Sequence, residues 1–344
     1  MAAQWVVHLT TRTGLEGGLI DVYRQELASR ASGDEVALLV PTQQAAETVR
    51  RLALEVGSGV PALLDARLMT FPQLAETVLV ANHHGSRQIA PLQRELLVGE
   101  VLAGLAGERK LGYLQATFAK PGTVKAVGAL LDEIKRGGIS SEEFPALIER
   151  GAAGHSASRV VAAIFSRYQE RLQALDLYDE PGLFWNALEV LQQGARKPLE
   201  ALKVLLVDGF QEFTTTQMEM LKTLGETAER IEVRLWLEER RPAMTPRSGA
   251  TLERLRKTVA PEVRPDAVRA PAVSSNLGLL RQGIFSNDEC GISGLDGTVQ
   301  LLEVAGGMVG ECRELARRLK LALSEPGGPQ PNQVAIFLRS WDTG

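Results

Sequence analysis

The stretch Leu202–Gln217, LKVLLVDGFQEFTTTQ, decides the fold of this chain of 344 residues. Its apolar run ends at Asp208, after which Gly209 and a polar segment lead into an amphipathic pattern, MEMLKTLGETAERI. A short apolar run followed by a turn and a helical pattern is typical of a buried strand in a parallel sheet. The stretch therefore predicts an α/β fold in which an acid lies at the carboxyl end of a central strand.

Further strands and helices alternate on both sides of this stretch. The predicted strands are Gln4–Thr10, Glu35–Val40, Arg67–Phe71, Lys203–Val207 and Arg230–Leu237. The predicted helices after the first three strands are Leu19–Ser29, Gln43–Val56 and Pro72–Ala81. Short connections between these elements favour parallel pairing, with helices covering both faces of the sheet.

The alternation is interrupted between Ala90 and Gln193, where apolar residues recur only at helical spacing. This part predicts about four or five helices and no strand. The segment Arg240–Ser275 is rich in proline and charge, and one helix is predicted near Thr251–Val259. A final α/β unit is predicted as strand Thr298–Val304, helix Gly310–Leu323 and strand Gln333–Leu338. Because the chain stops after a strand with no covering helix, we expect it to be the N-terminal piece of a longer protein.

The composition is that of an ordinary globular chain, with 44% hydrophobic residues, 23% charged residues and a formal net charge of −4. The overall charge is not positive, so it does not by itself indicate nucleic-acid binding. A local basic groove is still compatible with a net charge of −4. The two cysteines, Cys290 and Cys312, fit neither a disulfide framework nor a zinc site. The N-terminus lacks the pattern of a signal peptide, and no apolar run approaches the roughly 20 residues that span a bilayer. We therefore expect a cytoplasmic protein without membrane contact.

The first turn of the sheet is a candidate phosphate site. A P-loop requires the pattern GxxxxGK[ST], in which backbone N–H groups and a lysine hold the phosphates and a hydroxyl holds magnesium. Here the turn reads TRTGLEGG, with Gly17 and Gly18 at the places of the lysine and the hydroxyl residue. Two interpretations are open, an anion-binding nest at a helix N-terminus or a simple strand-to-helix turn.

The turn at Asp208 is the second candidate. P-loop NTPases place such an acid beside the magnesium ion of the nucleotide. An aspartate in this place also serves as a helix N-cap or turn residue, so both interpretations are open. ATPases of the helicase type carry a second acid directly after the first, where this chain has Gly209. Glu212 is the nearest acid on the following turn.

Other residues point to structure rather than chemistry. The four histidines are scattered and do not resemble a metal-binding set. Phe184 and Trp185 lie in an apolar helical stripe, which favours core positions over a base-stacking platform.

The motifs together carry a resemblance. VLLVDGFQEFTTTQMEMLKTL resembles motif II of superfamily 1 helicases of the UvrD type, and its DGF variant is similar to the AddB/RexB component of the AddAB/RexAB helicase–nucleases. ALLVPTQQAAETVRRL is similar to motif Ia, and ARLMTFPQLAETVL resembles the segment that follows it in this family. PLQRELLVGEVL with LLDEIKRGGISSEEF resembles the inserted helical subdomain of the family. VQLLEVAGGMVGECRELARRLKLAL with QVAIFLRS resembles the start of a second RecA-like domain, including Glu311 and Arg339.

The resemblance implies a RecA-like parallel sheet with an inserted all-helical subdomain and the start of a second RecA-like domain. The implied divisions are 1–85 and 201–275 for the first RecA-like domain, 86–200 for the helical insertion and 276–344 for the second domain. It also implies a degenerate nucleotide site with the following members: Arg12, Gly14, Gly17, Gly18, Asp208, Gln211 and Arg339. Asp208 is the member that would hold magnesium.

The implied role is that of a helicase-like segment which grips single-stranded DNA or docks a motor subunit without hydrolysing ATP itself. Its implied partners are single-stranded or duplex-end DNA, an AddA/RexA-type motor subunit and a downstream PD-(D/E)XK nuclease domain. The resemblance implies no resident cofactor in this segment, for which ATP with magnesium is the one candidate ligand, because the iron–sulfur cluster of the family lies downstream. The alternatives are an active ATP-dependent helicase with an atypical P-loop and a protein-interaction scaffold that does not bind DNA.

Overall fold

The computed structural model describes residues 3–11, 19–30, 32–53, 67–150, 156–238, 241–265, 280 and 300–337. The chain divides into two compact units, Met1–Pro271 and Ala272–Gly344. In the described residues of the first unit the strands are β1 (Gln4–Thr10), β2 (Val36–Leu39), β3 (Arg67–Met69), β4 (Arg87–Gln88), β5 (Leu177–Tyr178), β6 (Val204–Val207), β7 (Arg230–Trp236) and β8 (Glu262–Pro265).

The helices of the first unit follow the strands closely in the chain. They are α1 (Leu19–Ser29), α2 (Gln43–Ala53), α3 (Phe71–Ala81), α4 (Pro91–Gly107), α5 (Pro121–Arg136), α6 (Glu143–Arg150), α7 (Ser156–Ala174), α8 (Glu180–Gln192), α9 (Thr215–Gly225) and α10 (Pro246–Val259). The described part of the second unit contains α11 (Gly307–Ser324).

Six strands form one sheet in the order β3-β2-β6-β7-β1-β8, and every neighbouring pair is parallel. All four residues of β6 are fully buried, as expected for a central strand of a parallel sheet that is covered on both faces. One face packs against α3, α8, α9 and α10. The opposite face packs against α1 and α2 along β2 and β6. The fold is therefore α/β with a parallel sheet, as predicted, and it is consistent with the RecA-like class.

The chain between β3 and β6 is mainly helical, as predicted. Helices α4, α5 and α7 share a hydrophobic core of their own, whereas α8 packs into the core beneath the sheet. A buried ion pair fastens these helices to one another: Nζ of Lys135 on α5 lies 2.6 Å from Oδ1 of Asp179, the N-cap of α8. Asp179 also accepts a hydrogen bond from the hydroxyl of Tyr168 on α7.

Helix α5 ends against the start of α9. Gly138, just after α5, has a φ of +81°, a left-handed conformation that glycine adopts without steric cost. An added Cβ there would lie 2.8 Å from Cγ2 of Thr215. Thr215 donates a hydrogen bond of 3.3 Å to the carbonyl of Gly137. The helical segment is thus in direct contact with the helix that follows the DGFQEF turn.

Several sequence predictions need correction. The segment predicted to contain no strand includes β5, which pairs with β4 through two residues on each side. The proline-rich segment contains β8, which extends the sheet beside β1, and a longer helix than predicted, α10. Both short strands are too brief to produce an alternating apolar pattern, so their formation depends on the backbone of a neighbouring strand.

The second unit differs from its prediction as well. The helix is confirmed as α11, but the described parts of the two flanking strands, 300–304 and 333–337, are not strands. Leu301 and Phe337 are 99% and 94% exposed, so the apolar residues that suggested buried strands are not buried. A strand requires ladder hydrogen bonds from a neighbour, and the described residues of this unit provide none. Among the described helices of the chain, none has the length and apolar character needed to cross a membrane.

Candidate functional site

Asp208 lies at the carboxyl end of β6, as the sequence predicted. Its backbone N–H donates a 2.9 Å hydrogen bond to the carbonyl of Leu39, which continues the ladder between β6 and β2. The pairing of Val207 with Val233 places Asp208 beside Arg234 of β7. Nε of Arg234 donates to Oδ1 of Asp208 at 2.8 Å. The carboxylate is therefore neutralised by an arginine on the adjacent strand.

The pair is almost completely shielded from water. The side chains of Arg234 and Asp208 are only 4% and 3% exposed. Burial raises the pKa of Asp208, whereas the charge and hydrogen bond of Arg234, the N–H of Gly209 and the nearby His8 act to lower it. A magnesium ion at this carboxylate would have to compete with a guanidinium group that is already in contact with it. Separating these two charges inside the protein is costly, because neither would regain the solvation it lost on burial.

The sheet face that carries this pair bears a short row of polar residues. The register aligns His8 of β1 with Arg234 of β7. Nε2 of His8 lies 2.6 Å from Oε2 of Glu232, which is also buried. Glu232 in turn lies 2.7 Å from Nε of Arg230. Glu232 thus contacts polar side chains on both sides, Arg230 on β7 and His8 on β1, although the geometry at Nε of Arg230 is that of an ion pair without a hydrogen bond.

Gly209 has a structural reason to be glycine. Its φ is +85°, in the left-handed region where residues with a Cβ are disfavoured by about 1–2 kcal/mol. An acid at this position, as active helicase-type ATPases carry, would be strained in the present backbone. The missing second acid therefore coincides with a turn geometry that favours glycine.

The rest of the DGFQEF turn is fixed by neighbouring helices. Phe210 packs edge-on against Phe71 with a ring-centroid distance of 5.1 Å, and Phe213 lies 5.6 Å from Phe210. The carbonyl of Gln211 accepts a 2.9 Å hydrogen bond from the hydroxyl of Thr251 on α10. The Gln211 side chain itself is exposed. Further contacts with α10 are an ion pair between Glu212 and Arg247 and hydrogen bonds from Arg254 to the carbonyls of Phe213 and Thr214.

A cleft opens beside this turn. It has a volume of about 230 Å³ and is bounded by the turn, the starts of α3, α8 and α9, and the end of α5. Phe184, Trp185, Phe210 and Arg136 all contribute to its wall. Phe184 also packs against the core, in line with the sequence prediction, but Trp185 is only half-buried and borders this cleft as well as a larger cavity of about 580 Å³. Its indole N–H donates to the carbonyl of Lys135 at 3.2 Å.

The remaining predicted site residues belong to parts of the chain that the structure does not describe. Arg12, Gly14, Gly17, Gly18 and Arg339 lie outside the described residues. Cys290 also lies outside them, and Cys312 is an exposed free thiol on α11. Within the described parts of the chain, no three or more His, Cys, Asp or Glu side chains converge as a metal-binding group would require.

Sequence reasoning missed Arg234. The strand reads RIEVRLWL, in which three charged residues alternate with apolar ones. This alternation indicates a strand with one polar face. Aligning that face with the end of β6 would have placed Arg234 opposite Asp208, but the alignment requires the register, which the sequence alone does not supply.

These features define the class of the protein, an α/β protein with a parallel sheet consistent with the RecA-like class and an acid at the carboxyl end of a central strand. The family model described as "ADDB, N-terminal" matches residues 13–261, and the chain belongs to that family.

Curated relatives agree with this assignment. The chain is 27% identical over 233 residues to the B-type subunit of the ATP-dependent helicase/deoxyribonuclease of Heliobacterium modesticaldum, a match that covers 66% of this chain and 18% of the relative. Proteins of the same description from Pelotomaculum thermopropionicum and Ruminiclostridium cellulolyticum are 26% and 24% identical over 224 and 213 residues. Those matches cover 63% and 60% of this chain and 19% and 18% of the relatives. The matched part of the chain thus spans less than a fifth of the length of each of these relatives.

Proposed function

We propose that this chain is the helicase-like N-terminal segment of an AddB-type helicase–nuclease subunit and that it holds single-stranded DNA without hydrolysing ATP. In this role it would act in the processing of DNA double-strand breaks and in recombinational repair. The motor would be an AddA/RexA-type subunit, and a PD-(D/E)XK nuclease with its iron–sulfur cluster would follow downstream in the same protein. Helices α4–α8 would form the inserted subdomain, and the second unit would begin a second RecA-like domain.

The buried pair of Asp208 and Arg234 carries the proposal that ATP is not hydrolysed. An ATPase needs this carboxylate to be available to magnesium, but here it is 2.8 Å from a guanidinium nitrogen in a water-excluded environment. Gly209 stands where a second acid would be, and its positive φ favours glycine at that position. Together these two features support loss of the magnesium site with retention of the fold.

The aromatic cleft beside the DGFQEF turn supports DNA holding. Ligands of open α/β sheets bind in the crevice beyond the carboxyl ends of the strands, which is where this cleft lies. Sequence-tolerant sites for single strands combine aromatic side chains that stack on bases with cations that contact phosphates. Trp185 and Phe210 supply the aromatic groups. Arg136, whose side chain is 53% exposed, supplies a cation at the rim, where it lies 3.6 Å from the exposed carboxylate of Glu180 and a phosphate would compete with that contact.

Two binding measurements test the two parts of the proposal. Isothermal titration with Mg-ATP is expected to give no binding, and ATP turnover that is abolished by Asp208→Ala would overturn the first part. Binding of a fluorescent oligo-dT, measured across a salt series, tests the second. Trp185→Ala is expected to weaken binding roughly 5- to 150-fold, because stacking contributes about 1–3 kcal/mol per base. Trp185→Phe should restore most of this loss.

The phosphate contact has its own matched control. Arg136→Gln should weaken binding of oligo-dT. It should also reduce the slope of log K against log[salt] by roughly the amount that one phosphate contact contributes. Arg167→Gln removes a comparably exposed arginine from α7, which does not border the cleft, and should leave the slope unchanged. If the protein did not bind oligo-dT, or if Trp185→Ala bound it normally, the chain would instead be a scaffold without DNA contact at this cleft.

A further inference from the structure

An apolar groove runs between α5 and α7 on the helical segment. One half is a cavity of about 310 Å³ lined by Tyr113, Ala126, Leu130 and Val161, among others. The other half is a cavity of about 500 Å³ whose wall includes Ile139 and Phe144. Leu130 and Val161 border both halves, so the two cavities form one continuous groove. It shares no lining residue with the cleft beside the DGFQEF turn.

The groove is open to solvent and apolar. Tyr113 is 61% exposed and Leu130 is 37% exposed, although both side chains are largely apolar. An added Cβ at Gly122, in the wall of the smaller cavity, would meet no atom within 4 Å. Along α5 the lining runs from Gly122 to Ile134, which corresponds to roughly 18 Å of helix, or about three turns. These dimensions suit the apolar face of one short helix.

The segment that leads into the wall of the smaller cavity is rich in cations, whereas Glu133 is the one acid among the described residues that line the larger cavity. From Arg109 to Lys125 the sequence contains four cations and no acid, whereas the net charge of the chain is −4. Lys110 pairs with Glu108 at 2.7 Å. Arg109, Lys120 and Lys125 are exposed and form no ion pair with any residue that the structure describes. In the chain, Lys120 and Lys125 lie on either side of a segment that contributes to the wall of the smaller cavity.

We infer that this groove is a docking site for an acidic amphipathic helix of a protein partner. The apolar face of that helix would lie over Ala126, Leu130 and Val161, and its acidic flank would face Lys120 and Lys125. Burial of apolar side chains would provide affinity, and the cations would favour acidic over basic partners. Single-stranded DNA fits less well, because Tyr113 and Phe144 are the only aromatic side chains among the described residues of the groove, one in each half, and aliphatic side chains form most of the apolar wall.

The test uses the full chain and four defined probes. The dye 8-anilinonaphthalene-1-sulfonate, which is apolar and anionic, reports occupancy of the groove by its fluorescence. The first competitor is a synthetic helix of about three to four turns with leucines on one face and glutamates beside them. The second has the same leucines with lysines in place of the glutamates, and the third is oligo-dT. The glutamate peptide is expected to displace the dye, and the lysine peptide and oligo-dT are not.

Matched variants locate the binding. Ala126→Trp places an indole in the groove and should weaken binding of the glutamate peptide at least about tenfold. Ala129→Trp adds the same group at an exposed position of α5 that does not line the groove, and should bind normally. Lys120→Glu with Lys125→Glu should weaken binding about tenfold and reduce its salt dependence, whereas Lys257→Glu on α10 should not.

The far-UV circular dichroism spectrum of each variant checks that its fold is retained. The charge-reversal variant, Lys120→Glu with Lys125→Glu, alters only exposed residues. It therefore still tests the inference if Ala126→Trp does not fold. The inference is overturned if the lysine peptide binds as tightly as the glutamate peptide, if oligo-dT displaces the dye, or if the Ala126→Trp and charge-reversal variants both bind normally. The oligo-dT competition is carried out on the Trp185→Ala variant, so that these outcomes are independent of DNA binding at the other cleft.

Discussion

Replacing Arg234 by methionine isolates the role of the buried pair. An exposed ion pair contributes about 0–1 kcal/mol, because water and side-chain entropy offset the attraction. Breaking a buried pair costs about 3–5 kcal/mol, since the remaining charge is left without a partner or water. With side chains only 4% and 3% exposed, Arg234 and Asp208 belong to the second regime. We therefore expect Arg234→Met to lower the free energy of unfolding by about 3–5 kcal/mol, a large share of the 5–15 kcal/mol typical of a domain.

The assay is urea unfolding followed by circular dichroism and tryptophan fluorescence, with the transition of the first unit fitted only where both signals coincide. Asp208→Asn with Arg234→Met is the decisive partner variant. This double variant removes both charges and keeps a hydrogen-bond acceptor at position 208. It should therefore lower the free energy of unfolding by clearly less than the sum of the decreases caused by Asp208→Asn alone and Arg234→Met alone.

The pH dependence has a definite sign. Burial already raises the pKa of Asp208, and removing Arg234 takes away the strongest opposing influence. A carboxyl group with a folded-state pKa above its unfolded value destabilises the fold increasingly as the pH rises through that range. The stability deficit of Arg234→Met relative to the wild type should therefore shrink as the pH is lowered toward about 3, below the unfolded pKa, where the carboxyl group is mostly protonated in both the folded and the unfolded state. The double variant should show no such change.

Two results would refute this reasoning. The first is a decrease in the free energy of unfolding of less than about 1 kcal/mol for Arg234→Met, because the pair would then contribute no more than an exposed ion pair does. Additive costs of the two single variants would show that Asp208 and Arg234 do not stabilise each other, and the carboxylate would then be available for another ligand.

Further predictions concern backbone geometry and a second ion network. Gly209→Ala should lower stability by about 1–2 kcal/mol in urea unfolding, because alanine is strained at positive φ. Gly138→Val should lower it by more than about 1 kcal/mol, since its Cβ meets α9 at 2.8 Å in addition to the strain of a φ of +81°. Burial acts to raise the pKa of Glu26, but hydrogen bonds from Arg30 and Arg230 lower it overall. Its stabilising contribution is thus present above the unfolded pKa and is lost as the pH falls through the folded pKa, so Glu26→Gln should flatten the acid limb of a stability–pH curve.

The sheet was largely predictable because its strands are buried on both faces. A run such as VLLV has no polar residue and is too short for a helix, so a buried strand is the interpretation that fits. The capping box at the start of α9, in which Thr214 and Gln217 bond each other's backbone, is also visible in the sequence as T-x-x-Q. By contrast, the strand β8 is edge-exposed and ends in proline, so its residues carry little strand signal of their own.

The candidate site was predictable in position but not in chemistry. The end of β6 was identified because acids at the ends of parallel strands are recognisable from local sequence. The partner of Asp208 lies 26 residues away on another strand, and only the register between β6 and β7 brings it into contact. Trp185 illustrates the same limit, since helical spacing predicts a core face but does not determine which residues at its edge border a cleft.

Retention of Asp208 in a site without a second acid has a physical explanation in its contact with Arg234. If the carboxylate served magnesium alone, loss of metal binding would leave a buried, costly group with no reason to persist. Because Arg234 is buried beside it, removing the acid would take away the carboxylate that this buried arginine contacts, and removing the arginine would take away the cation that the buried acid contacts. Each residue therefore makes the loss of the other destabilising. An aspartate at this strand end can thus persist for stability, and its presence in the DGF turn is not by itself evidence of ATP hydrolysis.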